Sequence, residues 1–194
     1  MSFQQSVEAA VSVFAGLKAL EPQVEQIAAR MTEVLQAGGK VLFCGNGGSA
    51  CEAQHFAAEL VGRYKMTRRG LPAIALNADG ALMSCIGNDF SFESVFARQV
   101  EAFGQTGDMF VGMTTSGNSP NVLKALEVAR AQGLTTVTFL GAGGGRARGL
   151  ADFELVVDHK ETARVQEAHQ FLLHGIMDAF EARLAAAEPA MAKA

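Results

Sequence analysis

Cysteine is scarce in these 194 residues: only Cys44, Cys51 and Cys85 occur, and no two form a Cys-x-x-Cys. An odd count without that spacing excludes a disulfide framework and suits a reducing compartment, so a cytoplasmic protein is expected. No apolar run reaches the ~18 residues of a membrane span. The N-terminus lacks the basic-then-apolar pattern of a signal peptide. No run of Lys or Arg offers a patch to nucleic acid or membrane, and 16 basic against 20 acidic residues leave a net charge of −4. A balance that mild argues against a polyanionic partner. Charged residues are only 19% and hydrophobic ones 49%, which excludes disorder. No internal repeat or low-complexity linker divides the chain. Residues 1–194 are therefore expected to form a single domain, with helices for packing and oligomerisation over 1–37 and a core with its C-terminal helix over 38–187.

Against these absences stands one dense stretch, Lys40 to Tyr64. Val41 to Cys44 is apolar without polar alternation, as in a strand buried on both faces. Gly45-Asn46-Gly47-Gly48 then breaks the chain. Ser49 and Glu52 have the spacing of a capping box, and no Pro or Gly follows until after Val61, so a helix starting at Ser49 is predicted. Strand, glycine loop and helix start together make an anion site, where free N–H groups and the positive dipole end converge. A plain α/β turn would use the same residues. On that helix His55 and Glu59 are four apart and share a face. They read either as a solvated pair or as an imidazole and a carboxylate offered to a group bound at the loop. Arg63, Lys65, Arg68 and Arg69 follow as a small basic group, a solvated loop or an attractant for an anionic ligand.

The rest of the chain frames this unit. Residues 3–37 read as two amphipathic helices interrupted at Glu21-Pro22 and closed by Gly38-Gly39. Their apolar faces, and a mean hydropathy of +0.16, ask for burial against the sheet or another subunit. Further strands are predicted over 72–76, 108–113, 135–140 and 153–157, and helices over about 91–103, 121–132 and 162–187. Gly87 to Phe90 reads as a loop, Gly141 to Gly145 as a plain turn, and the alanine-rich tail after 187 is expected to fray. Apolar strands alternating with helices imply an α/β fold with a parallel sheet covered on both faces. In such sheets ligands bind beyond the carboxyl ends of the strands, at the topological switch point.

A second loop stands at such a strand end. Thr114-Thr115-Ser116-Gly117-Asn118-Ser119 sets hydroxyls and a glycine ahead of a helix that Ser119 would cap and Pro120 would open. Hydroxyls and N–H groups hold a phosphate without a lysine, although Ser/Thr-rich turns also serve as ordinary caps. In the last helix, Gln166 and His174 lie about 80° apart around the axis, on one broad face. His174 stands among Phe171, Leu172, Leu173 and Ile176, as a satisfied core histidine or as a ligand.

Gly45-Asn-Gly-Gly-Ser49, Thr115-Ser-Gly-Asn-Ser119 and Arg164-Val-Gln-Glu-Ala-His169, in this order, resemble the sugar isomerase (SIS) domain family. His55-Phe-Ala-Ala-Glu-Leu-Val-Gly-Arg-Tyr64, Cys85-Ile-Gly-Asn-Asp-Phe90 and His174 are similar to its phosphoheptose isomerases, and the resemblance spans about residues 3–184. It implies a three-layer αβα sandwich with a flavodoxin-like five-stranded sheet and two N-terminal helices. It also implies conversion of sedoheptulose 7-phosphate to D-glycero-D-manno-heptose 7-phosphate, for lipopolysaccharide core precursors. By position, Asn46, Gly47, Gly48, Ser49, Thr114, Thr115, Ser116 and Ser119 would hold the phosphate end and hydroxyls. Asn88, Asp89, Glu59 and Gln166 would also contact substrate. Glu59 and His174 would be the acid/base pair, and His55, Glu59, Gln166 and His174 the ligands of one zinc ion per subunit. The family resemblance also implies a homotetramer with sites near subunit interfaces. Thr114 departs from the usual Ser but keeps the hydroxyl, and Ala58 stands where an acidic residue is common.

The residue types suit that chemistry. Ketose–aldose isomerisation needs a base beside a carbonyl, proton return at the next carbon, and stabilisation of an enediolate oxygen. A carboxylate, an imidazole and a Lewis-acidic metal supply these. A rival expectation is a non-catalytic relative that binds a replication initiator protein as a scaffold. That relative lacks the acid/base pair, whereas Glu59 and His174 are both present. A sugar-phosphate-sensing module is the third reading, although no DNA-binding segment is attached.

Overall fold

The computed structural model describes residues 2–187. Five parallel strands form one sheet: β1 (Val41–Gly45), β2 (Ala73–Ala75), β3 (Met109–Thr114), β4 (Thr135–Gly141) and β5 (Phe153–Val157). Their order is β2-β1-β3-β4-β5, the flavodoxin-like arrangement expected for the sheet. The chain leaves β1 towards one edge and returns to lay β3 on its other side. The loops after β1 and β3 therefore flank a crevice at the carboxyl end of the sheet.

Alternate strand residues feed two cores, which makes three layers. Val41, Phe43, Met109, Val111 and Phe139 pack against α2 (Glu21–Gln36), α3 (Gly48–Val61) and α7 (Thr162–Ala187). Leu42, Cys44 and Phe110 face the other way, onto α4 (Gly80–Asp89), α5 (Ala97–Phe103) and α6 (Pro120–Ala131). Strands β1, β3 and β4 are buried along their whole length, as their unbroken apolar runs predict. Ahead of them, α1 (Phe3–Gly16) carries Phe3, Val7 and Val11 on its exposed surface. None of the described helices is long and apolar enough to cross a membrane.

Several local expectations change. The two N-terminal helices are separate as expected, but the break is a 3₁₀ turn at Leu17–Leu20, and Pro22 sits in the first turn of α2, where its missing N–H is tolerated. The span 91–103 is not one helix: a 3₁₀ turn at Phe92–Ser94 precedes α5. Gly87 to Asp89, expected in a loop, form the last turn of α4. Asp79 caps that helix, its Oδ1 accepting from Ala81 N at 2.8 Å and Leu82 N at 3.0 Å. Two glycines inside α4 hide the helical signal, because glycine is a poor helix former. Gly141 to Gly145 is no plain turn, since Ala142–Ala147 winds as a 3₁₀ segment through left-handed glycines. The alanine-rich tail expected to fray lies outside the described residues.

Candidate active site

The helix α3 starts one residue before the expected position. Gly47 is its N-cap and no side chain caps it, so the Ser49–Glu52 capping box does not form. Ser49 and Glu52 are instead buried in the first turn and a half. Burial pushes the Glu52 carboxyl up to about 7, against the opposing hydrogen bond from Ser49. The loop itself must be glycine where it passes α7: a Cβ on Gly48 would lie 2.4 Å from Gln166 Nε2.

The second loop is braced from within. Thr114 Oγ1 lies 2.9 Å from Ser119 Oγ and 3.4 Å from Ser116 Oγ. Ser119 is the N-cap of α6 as predicted, with Pro120 opening the helix, but its hydroxyl turns to Thr114 and not to the helix amides. Ser116 Oγ accepts from Asn118 N at 3.1 Å. Gly117, at φ +66, allows this turn to close on the third loop, because a Cβ there would stand 1.9 Å from Gly144 O. A reciprocal amide pair locks the two loops together: Asn46 Nδ2 donates to Asn121 Oδ1 at 2.9 Å, and Asn121 Nδ2 to Asn46 Oδ1 at 2.8 Å.

Between them lies a cavity of about 340 Å³ lined by Asn46, Gly47, Gly48, Ser49, Met113, Thr114, Thr115, Ser119, Thr162 and Gln166. The N-termini of α3 and α6 both open on it, so two dipoles and neutral donors meet with no lysine or arginine among the lining groups. A wall of this kind favours an anion.

Further along the same helices a second group converges. His55 Nε2 lies 3.0 Å from Glu59 Oε1, and His174 Nε2 lies 3.4 Å from that same oxygen. The two imidazole nitrogens are 3.2 Å apart. The second carboxylate oxygen, Glu59 Oε2, is buried with no hydrogen-bond partner. Three donor atoms aimed at one point, with a stranded oxygen behind them, could hold a metal ion. Gln170 Nε2 contacts His174 Nε2 at 3.1 Å, and Tyr64 stacks on the His174 ring at 5.8 Å and 15°.

The structure thus brings the first-loop residues, Thr114, Thr115, Ser119 and Gln166 to one cavity, and His55, Glu59 and His174 to one cluster. Gln166 stands against Gly48 in the cavity wall and makes no hydrogen bond with the histidine–glutamate trio; Gln170 occupies the neighbouring turn beside His174. Ser116 is exposed beside the cavity and is not part of its lining. Asn88 and Asp89 are exposed at the end of α4, bonded to each other at 2.8 Å, and stand apart from the lining of the cavity. Asn121, Tyr64 and Gln170 escaped the sequence reading. Only Gln170 carried a signal, four residues before His174 on one helix face.

Comparison with known proteins bears on this geometry. The profile of the SIS domain matches residues 3–141. A phosphoheptose isomerase of Fusobacterium nucleatum is 48% identical over 159 residues, 82% of this chain and 81% of that one. The chain belongs to the SIS domain family, among its phosphoheptose isomerases. A further phosphoheptose isomerase, from Nitratidesulfovibrio vulgaris, is 53% identical over 156 residues, 79% of this chain and 75% of that protein. Of solved structures, the phosphoheptose isomerase of Neisseria gonorrhoeae superposes with a TM-score of 0.86 at 38% identity, covering 93% of this chain and all 100% of that one. That from Francisella tularensis gives 0.85 at 37%, covering 93% and 94%. For this SIS-domain member, the two-loop cavity and the trio lie on one pair of helices, α3 and α7.

Proposed function

We propose that the chain isomerises sedoheptulose 7-phosphate to D-glycero-D-manno-heptose 7-phosphate, for lipopolysaccharide core precursors. The observation that carries this reading is the spacing of the two groups. Gln166 in the cavity wall and His174 in the trio are eight residues apart on α7, about 12 Å at the helical rise. A sugar anchored by its phosphate between Asn46–Ser49 and Thr114–Ser119 would lay its carbon chain along α3 and α7, with its carbonyl end at Glu59. Glu59 is the base that takes the proton next to the carbonyl, and His174 assists ring opening and returns the proton. Asn88 and Asp89 contact the substrate from a neighbouring subunit, in a homotetramer whose sites lie near the interfaces. Exposed Phe3, Val7 and Val11 on α1 supply apolar surface for such packing. The tetramer works in the cytoplasm, each subunit a single SIS domain.

The trio fits zinc. Two ligand atoms on a tetrahedral zinc with bonds of 2.0–2.1 Å are roughly 3.3 Å apart. The three separations here, 3.0, 3.2 and 3.4 Å, bracket that value. The proposed ligands are His55, Glu59 and His174; Gln166, expected as the fourth, stands in the cavity wall against Gly48 and not with the trio. Bound there, zinc would supply Lewis-acid polarisation of the substrate oxygen. The deciding experiment is turnover of sedoheptulose 7-phosphate by the pure protein, before and after a chelator, with zinc measured by elemental analysis. Turnover that falls with zinc content and returns on adding zinc is expected. No turnover by the zinc-replete tetramer would sink the enzymatic reading in favour of a scaffold.

A further inference from the structure

We propose that Arg68 and Glu181 are positioning residues for the Glu59–His174 pair, an inference that rests on the acid/base role given to that pair above. The basic group after α3 is only partly the solvated loop expected from its composition. The Arg68 side chain is just 9% exposed and faces Glu181 of α7, 6% exposed, with Nε 3.5 Å from Oε1. Its other nitrogens close the end of α3. Nη2 donates to Glu59 O at 2.9 Å and Nη1 to Leu60 O at 2.9 Å. Helix-end carbonyls lack intrahelical partners, and a cation there also meets the negative end of the dipole. One of the two carbonyls belongs to the proposed base itself.

Glu181 completes the tie from the other side. Its Oε2 accepts from Lys65 N at 3.1 Å and Met66 N at 2.9 Å, so α7 holds the loop that follows α3. Glu181 is seven residues beyond His174, on nearly the same face of α7. Tyr64, the residue before Lys65 in that loop, stacks on His174. The ion pair therefore sets the separation of α3 and α7 one to two turns past the reacting groups and presses Tyr64 onto the imidazole. Arg suits this role and Lys does not: a planar fork spans two carbonyls and a carboxylate, whereas one ammonium cannot. Neither residue touches the phosphate cavity, so their influence should fall on the chemical step.

The test compares Arg68→Lys and Glu181→Gln with the wild-type tetramer. Displacement of a reacting group by about 1 Å costs up to roughly 100-fold. A 10- to 100-fold fall in kcat is therefore expected, with KM within about twofold of wild type. A second readout needs no turnover. In protein labelled at its 4 histidines, the His174 ring resonances, assigned with His174→Gln, report the ring current of Tyr64. Arg68→Lys and Glu181→Gln should move them in the same direction as Tyr64→Leu. Folded variants with wild-type kcat and wild-type His174 resonances overturn the proposal. If Arg68→Lys does not fold, Glu181→Gln decides alone; if neither folds, the pair belongs to stability and the positioning role is refuted. Absence of turnover in wild type would refute the enzymatic reading, while the resonances would still test the brace.

Discussion

Replacing Glu59 by Gln tests the proposed base apart from the shape that carries it. Glu59 Oε1 faces both imidazoles, at 3.0 Å from His55 and 3.4 Å from His174, and Oε2 is buried without a partner. An amide of the same shape can keep one oxygen towards the histidines and set its NH₂ where Oε2 was. Packing on α3 is then preserved, and circular dichroism and oligomer size should not change. What disappears is a proton acceptor. General-base catalysis contributes ~10²–10⁴-fold, or about 3–5 kcal/mol of barrier, so kcat should fall by at least ~100-fold. The substitution also removes one anionic donor from the trio, which would weaken a bound cation. Assays at saturating zinc separate the two effects, because a lost base is not restored by metal. The direct readout is solvent exchange: in D₂O, deuterium should enter the substrate carbon next to the carbonyl with wild type and not with Glu59→Gln. Exchange at a near-normal rate in the variant would refute the assignment and move the base to His174. If His174→Ala were silent as well, the scaffold reading would return.

Gly117→Ala should be destabilising by more than the ~1–2 kcal/mol of left-handed backbone alone, since its Cβ would meet Gly144 O at 1.9 Å; an unchanged melting temperature would contradict the lock between the second and third loops. Ser116 is exposed beside the cavity; if the second loop holds the phosphate as proposed, Ser116→Ala should chiefly raise KM, since such a contact is made in ground and transition states alike, and a fall in kcat at constant KM would remove Ser116 from the binding loop. His169 predicts a pH dependence of stability. Its imidazole is fully buried, donates to Leu140 O at 3.1 Å and leaves Nδ1 unpartnered, and burial lowers its pKa from 6.5 to about 4. The unfolded chain takes up this proton below about 6.5 and the native state only near 4, so stability is full above 6.5 and falls as pH drops through that window, by on the order of 3 kcal/mol. Glu52 acts with the opposite sign, losing stability as pH rises towards 7. The difference between wild type and His169→Gln in chemical denaturation from pH 4 to 7.5 therefore isolates the histidine, and parallel profiles would refute it.

Elements with one dominant signal were legible without coordinates. The range of β5 and that of α7, Thr162 to Ala187, match their predictions, because an unbroken apolar run and a long 3.6-residue periodicity each admit one structure. The positions of both cavity loops follow in the same way from glycine and hydroxyl residues at strand ends. The pairing of His55 with Glu59 needed only helical spacing. Where signals conflicted, the chain alone misled: glycines inside α4 masked a capped helix, and Ser49 offered a cap that Gly47 took. Other features depend on contacts between segments far apart in sequence. His174 meets His55 across 119 residues, Asn46 meets Asn121 across 75, and Glu181 reaches the loop at Lys65 across 116. Whether His174 was a core residue or a ligand was open in the sequence, and Arg68, read there as a solvated charge or an attractant for an anion, proves to be buried against Glu181. Burial and convergence are set by how α3, α7 and the sheet pack. Local residue pattern decides which elements form, and only their packing decides which side chains share one point in space.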